Sequence, residues 1–369
     1  MTQYVRPYLS VLCLVMFLVT ACGSPVVETP VVQPTQSVAE VAATETNIIA
    51  ESSELEAERK IPVIFSHDGA PDDIAAMIYL SRHPQVEVIG VVMSYGEQHP
   101  SEAREEWGVF LDKVLGMGTV PLSVGSEYPL DPARLEFPQG WRDGADQFWY
   151  LDLPPSSVRI DPRKGYQLMI DLINAHAGKV TLVVLGAQTD MSLALQNAPE
   201  IKDKIEQIVI MGGAFHVKGN IEGNAGKASN DVAEWNIFVD ASAAQQVFSS
   251  GVPLTIVPLD GSYNFWITKT MYDQIKESDN PAVLLLAKLW EKQFKWWGGD
   301  FLLWDILAAT AVVHPDLFTW ECGELDVLST SGEQHGQTIV TSSENEQECF
   351  AIDHDRDELV ANILDTYLR

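Results

Sequence analysis

Ile61-Pro62-Val63-Ile64-Phe65-Ser66-His67-Asp68-Gly69-Ala70-Pro71-Asp72-Asp73 opens the regular part of the chain. Its apolar half, 61–65, shows no polar alternation, as expected of a strand buried on both faces of a sheet. Its polar half sets three carboxylates within six residues and leads into helical spacing over 72–81. Beyond this stretch, further apolar runs fall at 86–93, 180–185, 207–211 and 253–257. Helical spacings at 101–115, 165–175, 191–196 and 241–249 lie between them. Strands alternating with helices predict an α/β fold: one domain, with an open, mostly parallel sheet covered by helices on both faces. Helical stretches dominate 269–313, and short strands (325–328 and 350–353) and a last helix at 357–368 close the chain. In such sheets ligands collect beyond the carboxyl ends of the strands. The polar residues that follow each apolar run are therefore the candidate site.

The chain has 369 residues, 46% hydrophobic and 20% charged, with a net charge of −29. That excess repels phosphate backbones and argues against a nucleic-acid partner. It suits divalent cations, or it is simply a solvated acidic surface. At the N-terminus Arg6 precedes an apolar run over 8–19, too short to span a bilayer comfortably and suited to a signal-peptide core. The run ends in Val19-Thr20-Ala21-Cys22, which resembles the lipobox of bacterial lipoproteins. Residues 1–21 are thus expected to be a signal peptide and Cys22 the lipidated residue; an ordinary secretory signal with a coincidental cysteine is the alternative. Residues 22–59 contain no aromatic residue and are rich in Pro, Val, Thr, Ser, Ala and Glu, a tether composition. Residues 60–369 form the expected catalytic domain, exported and lipid-anchored to a bacterial cell-envelope membrane. Cys322 and Cys349 each stand beside a short strand-like run, bridged if those strands are neighbours and reduced if not.

Three carboxylates after the first strand read either as an acidic first helical turn or as a hard-cation site, since clustered carboxylates repel unless a cation or proton intervenes. The stretch resembles the N-terminal signature of the inosine–uridine-type nucleoside hydrolases, Asp-x-Asp-x-x-x-Asp-Asp, with Ser66 in place of the first aspartate. The resemblance implies a Rossmann-like fold and calcium held by Asp68 and Asp73, with Asp72 as general base. It extends over 60–369. Leu185-Gly186-Ala187-Gln188-Thr189-Asp190 is similar to a family turn whose residue before the glycine, here Leu185, offers its carbonyl to calcium. Met211-Gly212-Gly213-Ala214 matches another. Ala233-Glu234-Trp235-Asn236 resembles the ribose-binding segment, which assigns Glu234 and Asn236 to sugar hydroxyls with Trp235 between them. Gly219-Asn220 resembles an upstream Gly-Asn, with Asn224 the rival for the sugar contact of Asn220. Trp304-Asp305 precedes a small-residue helix, where the family places its last calcium ligand, Asp305.

Many members carry a histidine where this chain has Trp304, and a further tryptophan, Trp141, follows the third strand. Both features resemble the purine-specific branch, in which two tryptophans sandwich the base; core packing is the other reading of each. Glu97 falls where the family turns an Asn or Asp toward the ribose, or it is a solvated loop residue. The resemblance implies hydrolysis of a small-molecule ribonucleoside, with purine as leaving base. A nucleoside-binding lipoprotein without catalysis, or a hydrolase of another ribosyl compound such as nicotinamide riboside, are the competing classes. Family members are often homo-oligomers, although no interface is legible in this sequence.

Overall fold

The computed structural model describes residues 60–132, 135–221, 230–342 and 347–369. The expected signal peptide, Cys22, the tether and Asn224 lie outside the described residues. The strands are β1 (Ile61–His67), β2 (Val86–Met93), β3 (Leu122–Val124), β4 (Val180–Val184), β5 (Ile205–Met211), β6 (Leu254–Val257), β7 (Trp266–Ile267), β8 (Phe301–Leu302), β9 (Phe318–Cys322), β10 (Glu324–Leu328), β11 (Gln337–Ser342) and β12 (Glu348–His354). The helices are α1 (Pro71–Arg82), α2 (Arg104–Val109), α3 (Gln139–Ala145), α4 (Gly165–Ala175), α5 (Thr189–Asn197), α6 (Trp235–Phe238), α7 (Ala241–Phe248), α8 (Leu259–Ser262), α9 (Lys269–Ile275), α10 (Pro281–Trp297), α11 (Asp305–Ala311) and α12 (Arg356–Leu368).

Eight strands form the main sheet in the order β3-β2-β1-β4-β5-β6-β12-β9, all parallel except β9, which runs antiparallel to β12 at the edge. Successive side chains on one strand enter opposite cores. Val63, Phe65, Val183 and Val209 join the core beneath α1, α10, α11 and α12. Ile64, Leu182, Val184, Ile208 and Ile210 join the core beneath α4, α5 and α7. Both faces are dry, which is why these strands read as unbroken apolar runs. The order reverses between β1 and β4, and that switch point opens a crevice at their carboxyl ends.

Three expectations need correction. The helix foreseen over 101–115 starts later, because the Glu102 N–H closes a turn on the His99 carbonyl. It also widens to a π turn at Phe110–Val114, where Leu115 N–H reaches back to Phe110. The helical stretch over 269–313 is interrupted after Gly298, whose φ of +74° ends α10, and β8 then pairs antiparallel with β7. Cys322 and Cys349 are bridged, but not through the run at 325–328. That run, in β10, pairs with β11 in a separate two-stranded sheet. The bridge joins β9 to β12, where the two cysteines stand directly opposite.

Candidate active site

The β1 strand ends at His67, buried against Trp107, and hands Asp68 to the crevice, and Pro71 at the first position of α1 starts the helix at once. Asp72 and Asp73 then occupy its first turn, where free backbone N–H groups and the helix dipole favour anions. The Asp73 Oδ2 accepts from the N–H groups of Ala70 (2.9 Å) and Asp68 (3.2 Å), closing the loop on itself. Its Oδ1 is buried without a partner. Asp72 points the other way, its Oδ2 accepting from the N–H groups of Trp304 (2.9 Å) and Asp305 (3.3 Å) at the start of α11. The small residues of α11 let it pack closely on α1, so Asp305, 232 positions beyond Asp73, arrives beside the β1 carboxylates.

Strands β4 and β5 supply the facing side. Gly186 follows Leu185, and a Cβ there would stand 2.6 Å from that of Asp68, so only glycine lets the two strand ends approach. Glu234 caps α6 and gathers three backbone donors on Oε2: Asn236 (2.9 Å), Gly213 (3.2 Å) and Ile237 (3.4 Å). The Asn236 Nδ2 donates to the carbonyls of Leu185 (3.0 Å) and Met211 (3.2 Å), tying the ends of β4 and β5 together. Asp68 Oδ2 accepts from Glu97 N–H at 2.9 Å, which seats the loop after β2. Ser66 Oγ donates to Ser94 Oγ at 3.3 Å and, in turn, Ser94 Oγ donates to the His67 carbonyl at 3.0 Å. The hydroxyl at Ser66 thus braces the strand ends.

These groups surround a cavity of about 230 Å³. Asp68, Asp72, Glu97, Leu185, Glu234, Asn236 and Asp305 line its floor; Trp141 and Trp304 line its walls. Trp235 also faces it, stacked on Phe137 with ring centroids 4.8 Å apart. Asp73 lies just behind the floor. Asn220 is not among the lining residues: its Oδ1 accepts from Trp235 N–H at 3.1 Å, behind the wall. Sequence reasoning missed Trp149, Trp266, Trp296 and Trp297, which also line the cavity. Trp296 and Trp297 are 65% and 59% exposed, an unusual position for tryptophan. Trp149 belongs to a run, Phe148 to Tyr150, with φ between +47° and +54°. Such left-handed backbone costs roughly 1–2 kcal/mol per residue; burial of Phe148 against Trp107 and a Trp149 indole hydrogen bond to the Gly69 carbonyl (2.9 Å) hold it. No sequence signal marks that turn. No histidine is among the lining residues.

The electrostatics are dominated by burial. It pushes Asp68 up to about 7 and Glu234 up to about 7, in each case against backbone N–H donors that favour the carboxylate. Burial likewise raises Asp72, opposed by the Trp304 and Asp305 N–H groups. It also raises Asp73 and Asp305 well above the ordinary carboxylate value, with the neighbouring carboxylates adding to the effect. Glu97 is raised for the same two reasons, with the Arg142 charge acting against them. A floor of this kind holds protons or a hard cation. The donor set fits the cation: three carboxylates (Asp68, Asp73, Asp305), an unpartnered Asp73 Oδ1, and a Leu185 carbonyl with a second lone pair beside its bond to Asn236. Among the described residues no three such side chains converge at ligand distance as they stand, so the fit is one of donor chemistry.

Comparison with known proteins places this chain among the nucleoside hydrolases. The chain belongs to the inosine-uridine preferring nucleoside hydrolase family, whose pattern residues 63–361 match. The inosine-uridine preferring nucleoside hydrolase of Leishmania major is 28% identical over 287 residues, 75% of this chain and 87% of its own. The pyrimidine-specific ribonucleoside hydrolase of Citrobacter koseri is 29% identical over 288 residues, covering 76% and 88%. The solved structure of a purine-preferring ribonucleoside hydrolase from Gardnerella vaginalis superposes with a TM-score of 0.73 at 26% identity, covering 83% of this chain and 98% of that one. Relatives of both base preferences are therefore similar to it.

Proposed function

We propose that this enzyme is a calcium-dependent hydrolase of the N-glycosidic bond of ribonucleosides, with purine as preferred leaving base. The observation that carries the reading is one cavity lined both by buried carboxylates and by tryptophans. Asp68, Asp73, Asp305 and the Leu185 carbonyl would hold calcium. When bound, it offsets the repulsion of these carboxylates and orders a water and the ribose hydroxyls.

Asp72 is the general base in this reading. Its carboxylate lies at the cavity floor, oriented by two backbone N–H groups, and takes a proton from water as that water attacks C1′. Glu234 and Asn236 grip the sugar from the opposite side, with Asn220 supporting Trp235 from behind. These contacts accelerate the reaction to the extent that they strengthen as oxocarbenium charge develops. Trp304 and Trp141 stack on the base, which stabilises its departure where no histidine lines the cavity. Glu97 faces the sugar from the loop after β2.

Ribose release from inosine, adenosine, guanosine and uridine, with calcium and with chelator, tests the reading. Calcium-dependent release with purines favoured is expected. Uridine favoured over all three purines would sink the base assignment, and release untouched by chelator would sink the calcium assignment. The signal and tether composition of residues 1–59 supports export and lipidation at Cys22. Cys22→Ser is expected to move the protein from the membrane fraction to the soluble one; unchanged membrane retention would contradict anchoring at that cysteine.

A further inference from the structure

Arg142 is 1% exposed, although burying a charge is costly unless hydrogen bonds receive it. Its Nη2 donates to the Gly96 carbonyl at 3.0 Å, and its guanidinium lies 5.1 Å from the centre of the Tyr95 ring. Its Nη1 stands 2.6 Å from His99 Nε2. An arginine stays protonated, so this Nε2 accepts and the imidazole proton resides on Nδ1. His99 Nδ1 then donates to Asp146 Oδ2 at 2.7 Å, while His99 N–H donates to Asp146 Oδ1 at 2.7 Å. Arg142 and Asp146 stand four residues apart, at the end of α3, and so share a helix face. From that face they hold one histidine of the opposite loop between them.

The two elements joined in this way both border the cavity. Gly96 and His99 flank Glu97 in the loop after β2, and Trp141 precedes Arg142 on α3; Glu97 and Trp141 both line the cavity. We propose that the Asp146–His99–Arg142 chain is a positioning device that fixes the span between the Glu97 loop and the Trp141 helix and so sets the grip on the nucleoside. Cutting the chain anywhere loosens one element against the other without removing a group that touches substrate. The proposal rests on the hydrolase reading for its substrate.

The test uses Arg142→Ala, His99→Ala and Asp146→Asn, each checked for folding by thermal melting and assayed for ribose release from inosine. Arg142→Ala is expected to raise KM about tenfold with kcat within about threefold, equivalent to about 1.4 kcal/mol of binding. Millimolar methylguanidinium, which fits the vacated space, is expected to restore KM. Because both cut one chain, combining His99→Ala with Arg142→Ala is expected to cost little more than either alone. If Arg142→Ala does not fold, Asp146→Asn carries the test, with a KM rise of about threefold expected at an unchanged melting temperature. Unchanged KM in folded His99→Ala and Asp146→Asn, or a KM defect that methylguanidinium leaves in place, overturns the proposal. If the wild-type protein releases no ribose, the hydrolase reading fails instead. The same variants are then read by inosine quenching of tryptophan fluorescence, where weaker binding is still expected and equal binding overturns the proposal.

Discussion

At the scale of single residues, Asp72 is the group that, in the proposed mechanism, separates a hydrolase from a protein that merely binds nucleosides. Its hydrogen bonds to Trp304 and Asp305 need only an acceptor oxygen, which an amide also provides. Asp72→Asn is therefore expected to fold and bind, with kcat for ribose release falling on the order of a thousandfold; retention of more than a tenth of the activity would remove Asp72 from its role. A base works only when deprotonated, and burial raises this carboxyl. Activity is thus expected to be lost as pH falls through a value above the ordinary carboxylate range. Because a bound cation favours the carboxylate form, raising calcium should move this acid limb to lower pH. A kcat/KM–pH profile at two calcium concentrations checks both statements, and a limb that moves upward contradicts them.

At the scale of elements, α6, the segment proposed to hold the ribose, is also a structural joint. Glu234 caps this four-residue helix and orders the Gly213 turn, while Asn236 fastens β4 to β5. Glu234→Ala is expected to cost about 1–2 kcal/mol from the lost cap, visible as a lower melting temperature, and also to raise KM for nucleosides. A melting shift without any KM change would make Glu234 structural only. The long central strands and most helices were legible because period and burial agree: residues 86–93 and 165–175 form β2 and α4 as their spacing suggests. The first carboxylate cluster was legible because it follows a strand immediately. What escaped depends on contacts distant in sequence. Asp305 was named through the family resemblance alone, since it reaches the floor only through the packing of α11 on α1; Trp296 and Trp297 escaped, because nothing local distinguishes these exposed residues of α10 from core tryptophans. The cysteine pairing was legible as a possibility and the run at 350–353 lies in one of its strands, β12, but the other, β9, was not foreseen, because it carries a weak alternating pattern at a sheet edge.

At the scale of the molecule, the acidic floor couples stability to pH, and the proposed calcium would act through the same carboxylates. Asp68 and Glu234, ordinarily at 3.8 and 4.5, are both pushed up to about 7 by burial. A folded-state value above the unfolded one stabilises the protein below the unfolded value, and the gain is lost as pH rises through about 7. With chelator, the melting temperature is therefore expected to fall between pH 5 and pH 8, and added calcium should recover it at pH 8 far more than at pH 5. Equal recovery at both would mean that the cation does not meet these carboxylates. The most direct test of the central claim is calcium add-back. Protein stripped by chelator is titrated with calcium while ribose release from inosine is followed, for wild type and Asp72→Asn. Saturable recovery in wild type, with Asp72→Asn remaining inactive at every calcium level, is the expected result. Full ribose release by the stripped wild-type protein, or recovery of Asp72→Asn to wild-type rates, would contradict the account.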